Sequence, residues 1–176
     1  LEGLKRAAPM LIDDEPSLYL YRLKMGAHEQ TGIAGCFSVD EYERGLIKKH
    51  EKTRKEKEDD RTRHVVETRA QTGVVFLTYK AAASLDQTVA ALTRRTPLYY
   101  ITAPDGVVHT IWQVTGPDVD RIVRAFEALP ALYIADGHHR AASAARARTT
   151  IRGGRPSAGE AETFIAVAFP DNHMKI

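Results

Sequence analysis

The stretch ALYIADGHHRAASAARAR (131–148) indicates the fold class, because a strand, a tight turn and a helix follow one another within it. Residues 131–135 are mostly apolar and predict a buried strand, and the alanine-rich run up to about residue 148 predicts a helix. Asp136 and Gly137 between them are typical turn residues. A strand that leads straight into a helix is typical of an α/β domain, with a mixed α+β sheet and helices packed on it.

Alternating and apolar runs predict the other strands, and periodic apolar positions predict the other helices. The further predicted strands are 17–25, 31–38, 74–79, 98–103, 107–114 and 163–169. The further predicted helices run from Ser38 to about His50, over 54–70, over 84–95 and from Thr115 to about Leu129. Pro104, Asp105 and Gly106 predict a hairpin turn, and the polar, glycine-containing segment 149–160 predicts a mobile loop.

Two polar residues are predicted to cap helix starts. Ser38 stands three residues before Glu41, and Thr53 stands three residues before Glu56. At this spacing each side chain can bond the backbone N–H of the other residue. The sequence therefore predicts a junction between two helices at residues 50–54.

The composition is that of an ordinary globular protein. The chain has 176 residues, 43% of them hydrophobic, which excludes a wholly disordered or fibrous protein. This length suits one α/β domain over 1–176, with 1–72 and 73–176 as alternative sub-lobes, or a piece of a longer protein. No apolar run is long enough to span a membrane, so no membrane partner is expected. The pattern specifies no oligomeric state.

Charge and cysteine content restrict the partners and the compartment. With 25 Lys+Arg against 23 Asp+Glu the net charge is +2, which does not favour a nucleic-acid partner. The single cysteine, Cys36, cannot close an intramolecular disulfide, so a reducing, cytoplasmic setting is expected.

The turn before the alanine-rich helix carries the most distinctive chemistry. Exposed N–H groups and the positive end of the helix dipole attract an anion, and Gly137 lets a phosphate approach the backbone. Arg140 can hold a phosphate with two hydrogen bonds, and His138 or His139 can donate another. Asp136 is expected either to cap the helix or to hold Mg²⁺ or a hydroxyl. A purely structural turn is the equal alternative.

A second polar cluster is predicted at the junction of the two helices. It consists of His50, Glu51, Thr53 and Arg54, next to N–H groups that a helix start leaves exposed. Glu51 is a candidate general base towards a hydroxyl, with His50 as its neighbour or alternative. Thr53 and Arg54 are candidate phosphate-binding residues, although Thr53 is more readily a cap than a reactant.

The charged segment from Lys48 to Arg63 has an ordinary alternative interpretation. Its eight basic and five acidic residues favour a solvated helix with ion pairs along its surface. A nucleic-acid partner for this helix is less well supported, because acidic residues interrupt the basic ones and aromatic residues are scarce. Asp60 and Arg61 are expected to form a supporting ion pair rather than part of a ligand site.

Four segments in this order resemble a prokaryotic family catalogued as domain of unknown function 1015. They are LYLYRL (18–23), SVDEYERGLIKKHEKTRKEKEDDR (38–61), VVFLTY (74–79) and YIADGHHRAASA (133–144). The likeness covers nearly the whole chain. Members of that family reach about twice this length, so the resemblance implies that further segments precede and follow this one.

The Gly-His-His-Arg turn has a more distant likeness, to the Gly-x-His-Arg turn of the ParB and sulfiredoxin nucleotide-binding fold. Free-serine kinases are built on that fold. The likeness implies that residues 137–140 hold nucleotide phosphates and that a carboxylate activates the hydroxyl of a small acceptor. In such kinases the catalytic acid comes from an upstream segment, for which Glu51 and Asp136 are the substitutes in this chain.

The resemblance implies a small-molecule kinase. The expected reaction transfers phosphate from ATP or ADP to a hydroxyl of a small metabolite, such as free L-serine, with Mg²⁺ as cofactor. The alternative is a regulatory module that binds a nucleotide or phosphate without chemistry.

Overall fold

The computed structural model describes residue 3 and residues 12–174 of the chain. This part forms an eight-stranded mixed sheet with the strand order β3-β7-β4-β8-β2-β1-β6-β5. The strands are β1 (Leu18–Met25), β2 (His28–Ser38), β3 (Ile47–Lys48), β4 (Val75–Tyr79), β5 (Tyr99–Thr102), β6 (Val108–Val114), β7 (Leu132–Asp136) and β8 (Thr163–Pro170). The helices are α1 (Val39–Glu43), α2 (Lys55–Thr68), α3 (Ala83–Leu92), α4 (Pro117–Glu127) and α5 (His138–Arg152).

The mixed α/β class is confirmed, since the sheet combines antiparallel hairpins with parallel pairs. β1 pairs with β2 and β5 pairs with β6 as antiparallel neighbours. β4 and β8 are parallel, as are β3 and β7. The sheet draws interleaved strands from residues 1–72 and 73–176, so these two halves do not form separate sheets.

The core lies on the sheet face that the helices cover. Along β4, Val75, Leu77 and Tyr79 are buried, whereas the alternate residues between them are partly exposed. This alternation is expected of a strand with only one face against the core. The helices add to the same buried cluster through side chains such as Leu85 of α3 and Ile122 of α4.

The parallel pairing of β3 with β7 brings two distant segments to one edge of the sheet. Ile47 lies opposite Leu132, and Lys48 lies opposite Tyr133. Because adjacent parallel strands run in the same direction, the residues that follow each strand emerge at the same edge. The segment after β3 and the start of α5 therefore become neighbours.

The helix predicted from Ser38 to about His50 is wrong in its second half. Ser38 caps it as predicted, since the Glu41 amide donates to the Ser38 Oγ over 3.3 Å. The helix ends at Glu43, and Gly45 follows with φ of +75°. This left-handed conformation, which suits glycine, turns the chain into β3.

The cap predicted for the next helix is also wrong. α2 has Arg54 at its N-cap, without a side-chain capping bond. The Thr53 hydroxyl instead donates to the Glu58 carboxylate, inside the helix. The long reach of Glu58 supplies an acceptor that the local Thr53–Glu56 spacing does not reveal.

The segment 149–160, predicted as a loop, is partly helical. α5 continues to Arg152, and residues Gly159–Glu162 form a turn of 3-10 helix. Glu162 accepts hydrogen bonds from Arg148 and Arg152, which fastens this segment to α5. The hairpin predicted around Pro104, Asp105 and Gly106 is confirmed, because β5 and β6 flank it.

Candidate functional site

The start of α5 is built around Gly137, which occupies the N-cap with φ of +93°. A side chain here would place its Cβ 3.3 Å from the Cα of Val75 and 3.2 Å from Nη1 of Arg140. Glycine is therefore favoured both by the backbone conformation and by the close packing of the chain. Asp136 is the last residue of β7 and not the cap, which corrects one of its two expected roles.

The first turn of α5 presents positive charge to its surroundings. The amides of His138 and His139 are the first two of the helix, where no preceding turn supplies a carbonyl acceptor. No acidic residue lies in this turn to offset the helix dipole. The helix dipole and the unbonded amides of this turn therefore favour an anion, whereas the carboxylates of Asp136 and Glu51 beside it oppose one.

Arg140 lies next to these amides, and one nitrogen of its guanidinium is already hydrogen-bonded within the protein. Its Nη1 donates to the Asp136 carboxylate over 3.0 Å and to the Val74 carbonyl over 3.1 Å. The Arg140 side chain is 34% exposed and that of Asp136 is 72% exposed. Since such an exposed ion pair stabilises the fold by at most about 1 kcal/mol, an incoming anion can replace Asp136 as the partner.

The His50–Glu51 junction meets this corner. The rings of His50 and His138 are 4.4 Å apart and almost perpendicular, at 84°. The Oε2 atom of Glu51 lies 3.6 Å from Nδ1 of His138, and the Glu51 side chain is 58% exposed. Two segments that the sequence analysis selected separately are therefore adjacent in space.

His138 itself faces the interior and is only 4% exposed. Burial lowers the pKa of its imidazole, and the neighbouring His50 lowers it further, while Glu51 works in the opposite direction. The Nε2 atom is buried without a partner among the described residues. The ring of His138 is therefore enclosed by the protein and is not available to an anion at the surface.

The remaining predicted residues have different surroundings. The hydroxyl of Thr53 is engaged by Glu58. Arg54 is exposed at the start of α2. The Nδ1 atom of His139 is buried and has no partner among residues 12–174.

A cleft of about 810 Å³ opens between α2, α5 and the chain that leads into β4. Of the predicted site residues, Arg140 alone lines it. The wall formed by α2 is lined by Lys57 and His64, which the sequence did not single out, and by Arg61, which it assigned to an ion pair rather than to a ligand site. Their spacing of i, i+4 and i+7, which places them on one helix face, was the signal that could have found them.

The ion pair expected between Asp60 and Arg61 is wrong. Asp60 accepts instead from Arg63 over 3.0 Å, and both Asp60 and Arg61 line the cleft. Two arginines, Arg61 and Arg63, lie within three residues of Asp60 in the sequence. The helix places the side chain at i+3, and not the one at i+1, beside Asp60.

No group of three or more His, Cys, Asp or Glu side chains that could hold a metal ion occurs within the described ranges. Asp136, the residue considered for Mg²⁺, lies exposed beside Arg140. None of the helices in the part of the chain that the structure covers is both long enough and apolar enough to cross a membrane.

The model of one protein family matches the chain over residues 1–176, its whole length. That family is described as "Protein of unknown function (DUF1015)". The chain belongs to this family. Comparisons with curated proteins and with solved structures gave no significant match. Membership in DUF1015 confirms the resemblance seen in the four sequence segments, and it assigns no activity.

Proposed function

We propose that this chain is a small-molecule kinase that binds ATP or ADP at the start of α5 and phosphorylates a hydroxyl of a small metabolite, with free L-serine as the candidate acceptor. The observation that supports the proposal is the contact between the His50–Glu51 junction and the first turn of α5. The contact puts an exposed carboxylate next to the turn where the proposal binds phosphate, and phosphoryl transfer depends mainly on such positioning and on charge neutralisation.

The phosphate group would bind at the amides of His138 and His139. Arg140 would turn from Asp136 towards the phosphate, because a charge-assisted bond to a dianion is stronger than an exposed ion pair. Gly137, without a side chain, would let the phosphate reach the amides. In this arrangement Asp136 is released and is the residue that would hold Mg²⁺, whose charge would offset that of the phosphates.

Glu51 would act as the general base. Its carboxylate would accept the proton of the acceptor hydroxyl while that oxygen forms a bond to the terminal phosphorus. The bond from this phosphorus to the bridging oxygen would break, and ADP or AMP would leave. His50, whose ring packs on His138, would position Glu51. We further propose a cytoplasmic location, which the single, unpaired Cys36 supports.

Incubation of the protein with ATP or ADP, Mg²⁺ and a panel of amino acids and polyols tests the proposal. Phosphorus NMR should detect a phosphomonoester product, and Glu51→Gln should reduce its formation by about a hundredfold or more. Glu127→Gln, which changes an exposed carboxylate at the end of α4, is the matched control and should remain active. Absence of both product and nucleotide turnover in folded protein would rule out the kinase.

A regulatory module that binds a nucleotide without chemistry is the second candidate. It is favoured by the burial of the His138 ring, which leaves the corner better equipped to bind a phosphate than to transfer a proton. Nucleotide binding that survives both Glu51→Gln and Asp136→Asn, without turnover in the wild type, would support this alternative.

A further inference from the structure

The cleft between α2 and α5 continues from the anion-binding corner, and Arg140 belongs to both. Nη1 of its guanidinium bonds Asp136 and the Val74 carbonyl. The Cδ and Nε atoms of Arg140 pack against Gly73, where a Cβ on residue 73 would lie 2.8 Å from Nε. Because Gly73 and Arg140 both line the cleft, a ligand held by Arg140 can extend into it.

The two helices give the cleft two different walls. α5 contributes Ser143 and Ala144, which are small and buried, so this wall leaves room for a ligand. α2 contributes long charged side chains. Successive residues of a helix are rotated by about 100°, which places Lys57, Arg61 and His64 together on one stripe.

The positions of the charged residues around the axis of α2 determine which of their side chains face the inside of the cleft. Helix geometry places positions 57, 61 and 64 between the side that packs on α5 and the stripe formed by positions 56, 60 and 67. Glu58 and Thr62 mark the packing side, since Glu58 pairs with Arg146 and Thr62 is buried. The cationic stripe is therefore the inner wall, and the acidic stripe is the outer rim.

Neither Lys57 nor Arg61 forms an ion pair with any residue that the structure describes. Three of the five carboxylates of α2 are engaged by other cations, and the remaining two, Glu56 and Glu67, lie on the outer rim. Asp59 pairs with Lys55 and Arg146, Asp60 pairs with Arg63, and Glu58 pairs with Arg146. The inner wall thus keeps two positive charges that face a cleft with Arg140 in its lining.

We infer that Lys57 and Arg61 form a second anion-binding wall opposite Arg140, and that the cleft holds a linear polyphosphate chain, as in a nucleoside triphosphate, rather than a single phosphate. Four residues of helix separate the Cα atoms of Lys57 and Arg61 by about 6 Å along the axis, a spacing that a triphosphate spans and one phosphate does not. This inference rests on the proposed function, because it places the phosphate chain of the same nucleotide.

Isothermal titration calorimetry with ATP, AMP and inorganic tripolyphosphate tests the inference. Lys57→Ala and Arg61→Ala should each raise the Kd for ATP and for tripolyphosphate by about tenfold or more, because each removes a hydrogen bond to a charged group. The matched control is Lys55→Ala, which removes the same charge from the same helix at a position outside the cleft and should change the Kd less than twofold. Far-UV circular dichroism of each variant checks that α2 is intact.

The outcomes separate this inference from the kinase itself. ATP binding that is weakened by both cleft variants and not by Lys55→Ala supports it. ATP binding and turnover that both cleft variants leave unchanged would overturn the inference and leave the kinase standing. Tripolyphosphate binding with the expected pattern, but without turnover of any acceptor, would keep the cleft and remove the kinase. If neither ATP nor tripolyphosphate binds folded wild-type protein, both are wrong.

Discussion

Two arginines of α5, Arg140 in its first turn and Arg148 two turns later, have opposite environments. The Arg148 side chain is 6% exposed and pairs with Asp40, Glu43 and Glu162. Arg140 is 34% exposed and has one carboxylate partner, which is itself mostly in solvent. The hydrogen bond that Arg148 donates to the Asp40 carboxylate is the main cause that raises the pKa of its guanidinium.

The difference shows which positive charges of α5 serve the fold and which are available to a ligand. Arg148 connects α5 to α1 and to the 3-10 turn at Gly159–Glu162. Its removal would leave Asp40 and Glu43 without a basic partner among the described residues, while Glu162 would keep Arg152. Arg140 bonds only Asp136 and the Val74 carbonyl, both beside the start of the helix. Its ion pair is exposed, so water can take the place of Asp136. Arg146 resembles Arg148, since it ties α5 to Glu58 and Asp59 of α2.

Arg148→Ala should have the largest effect on stability. We expect the free energy of unfolding to fall by about 3 kcal/mol, the lower end for a broken buried pair, because the carboxylates left behind are partly solvated. Urea unfolding followed by circular dichroism measures the change. Arg124→Ala, on the exposed side of α4, is the control and should change stability by less than about 0.5 kcal/mol. A loss below about 1 kcal/mol for Arg148→Ala would remove the contrast between the two arginines.

Arg140→Ala should show the reverse pattern. Nucleotide binding should weaken by about 1.5–3 kcal/mol, as for hydrogen bonds to a charged group, and the unfolding free energy should change by less than about 1 kcal/mol. Calorimetry with ATP and urea unfolding of the same preparation give the two values. An unchanged affinity would show that the corner does not hold the phosphates, and a large loss of stability would show that Arg140 is a structural residue like Arg148.

Gly137→Ala should disturb both properties moderately. A left-handed conformation costs an alanine about 1–2 kcal/mol, and the added methyl group would also press on the backbone of Val75 and the guanidinium of Arg140. We expect a corresponding loss of unfolding free energy together with weaker nucleotide binding. Gly154→Ala, also at positive φ but in open space, is the control for the conformational part. Equal losses in the two variants would show that the close approach at Gly137 has no consequence.

The smallest expected effect is the change in the free energy of unfolding with pH that the buried His138 causes. Because its pKa is lowered in the folded state, the unfolded chain binds the proton more tightly. The contribution of His138 to the free energy of unfolding should therefore be fully present above about pH 6.5 and should decline as the pH falls below it. Glu162, whose pKa is lowered from 4.5 to about 2, contributes a loss only at lower pH. Urea midpoints measured between pH 8 and 5 should decline less steeply in His138→Gln, and an identical slope would contradict this assignment.

The sequence predicted best where residues close in the chain determine the structure. The β5–β6 hairpin follows from its turn residues, and the Ser38 cap follows from a spacing of three residues. It failed where the partner is distant. The segment 149–160 was predicted to be a loop because Glu162 and the arginines that bind it are not recognisable as partners in the sequence. The cap expected at Thr53 failed because Glu58 competes for its hydroxyl.

The candidate site divides in the same way. Gly137 and Arg140 could be selected from the sequence, because a glycine before a helix with a cation in its first turn is a local pattern for an anion site. The spacing of Lys57 and Arg61 places them on one helix face, but the cleft that they line could not be predicted, because it exists only once α2 packs beside α5. The burial of the His138 ring could not be predicted either, since the sequence does not indicate which of two adjacent histidines faces the interior.

The sequence by itself determined the strand and helix periodicities, the glycine turn into α5 and membership in DUF1015, because these depend on residue type and short spacing. The tertiary structure alone decided that β3 pairs with β7, that Glu51 therefore lies beside His138, and that Arg148 is enclosed while Arg140 is accessible. The physical reason is that strand pairing, burial and the choice of ion partner depend on side chains far apart in the chain, whose distances are set only when the sheet and its helices assemble.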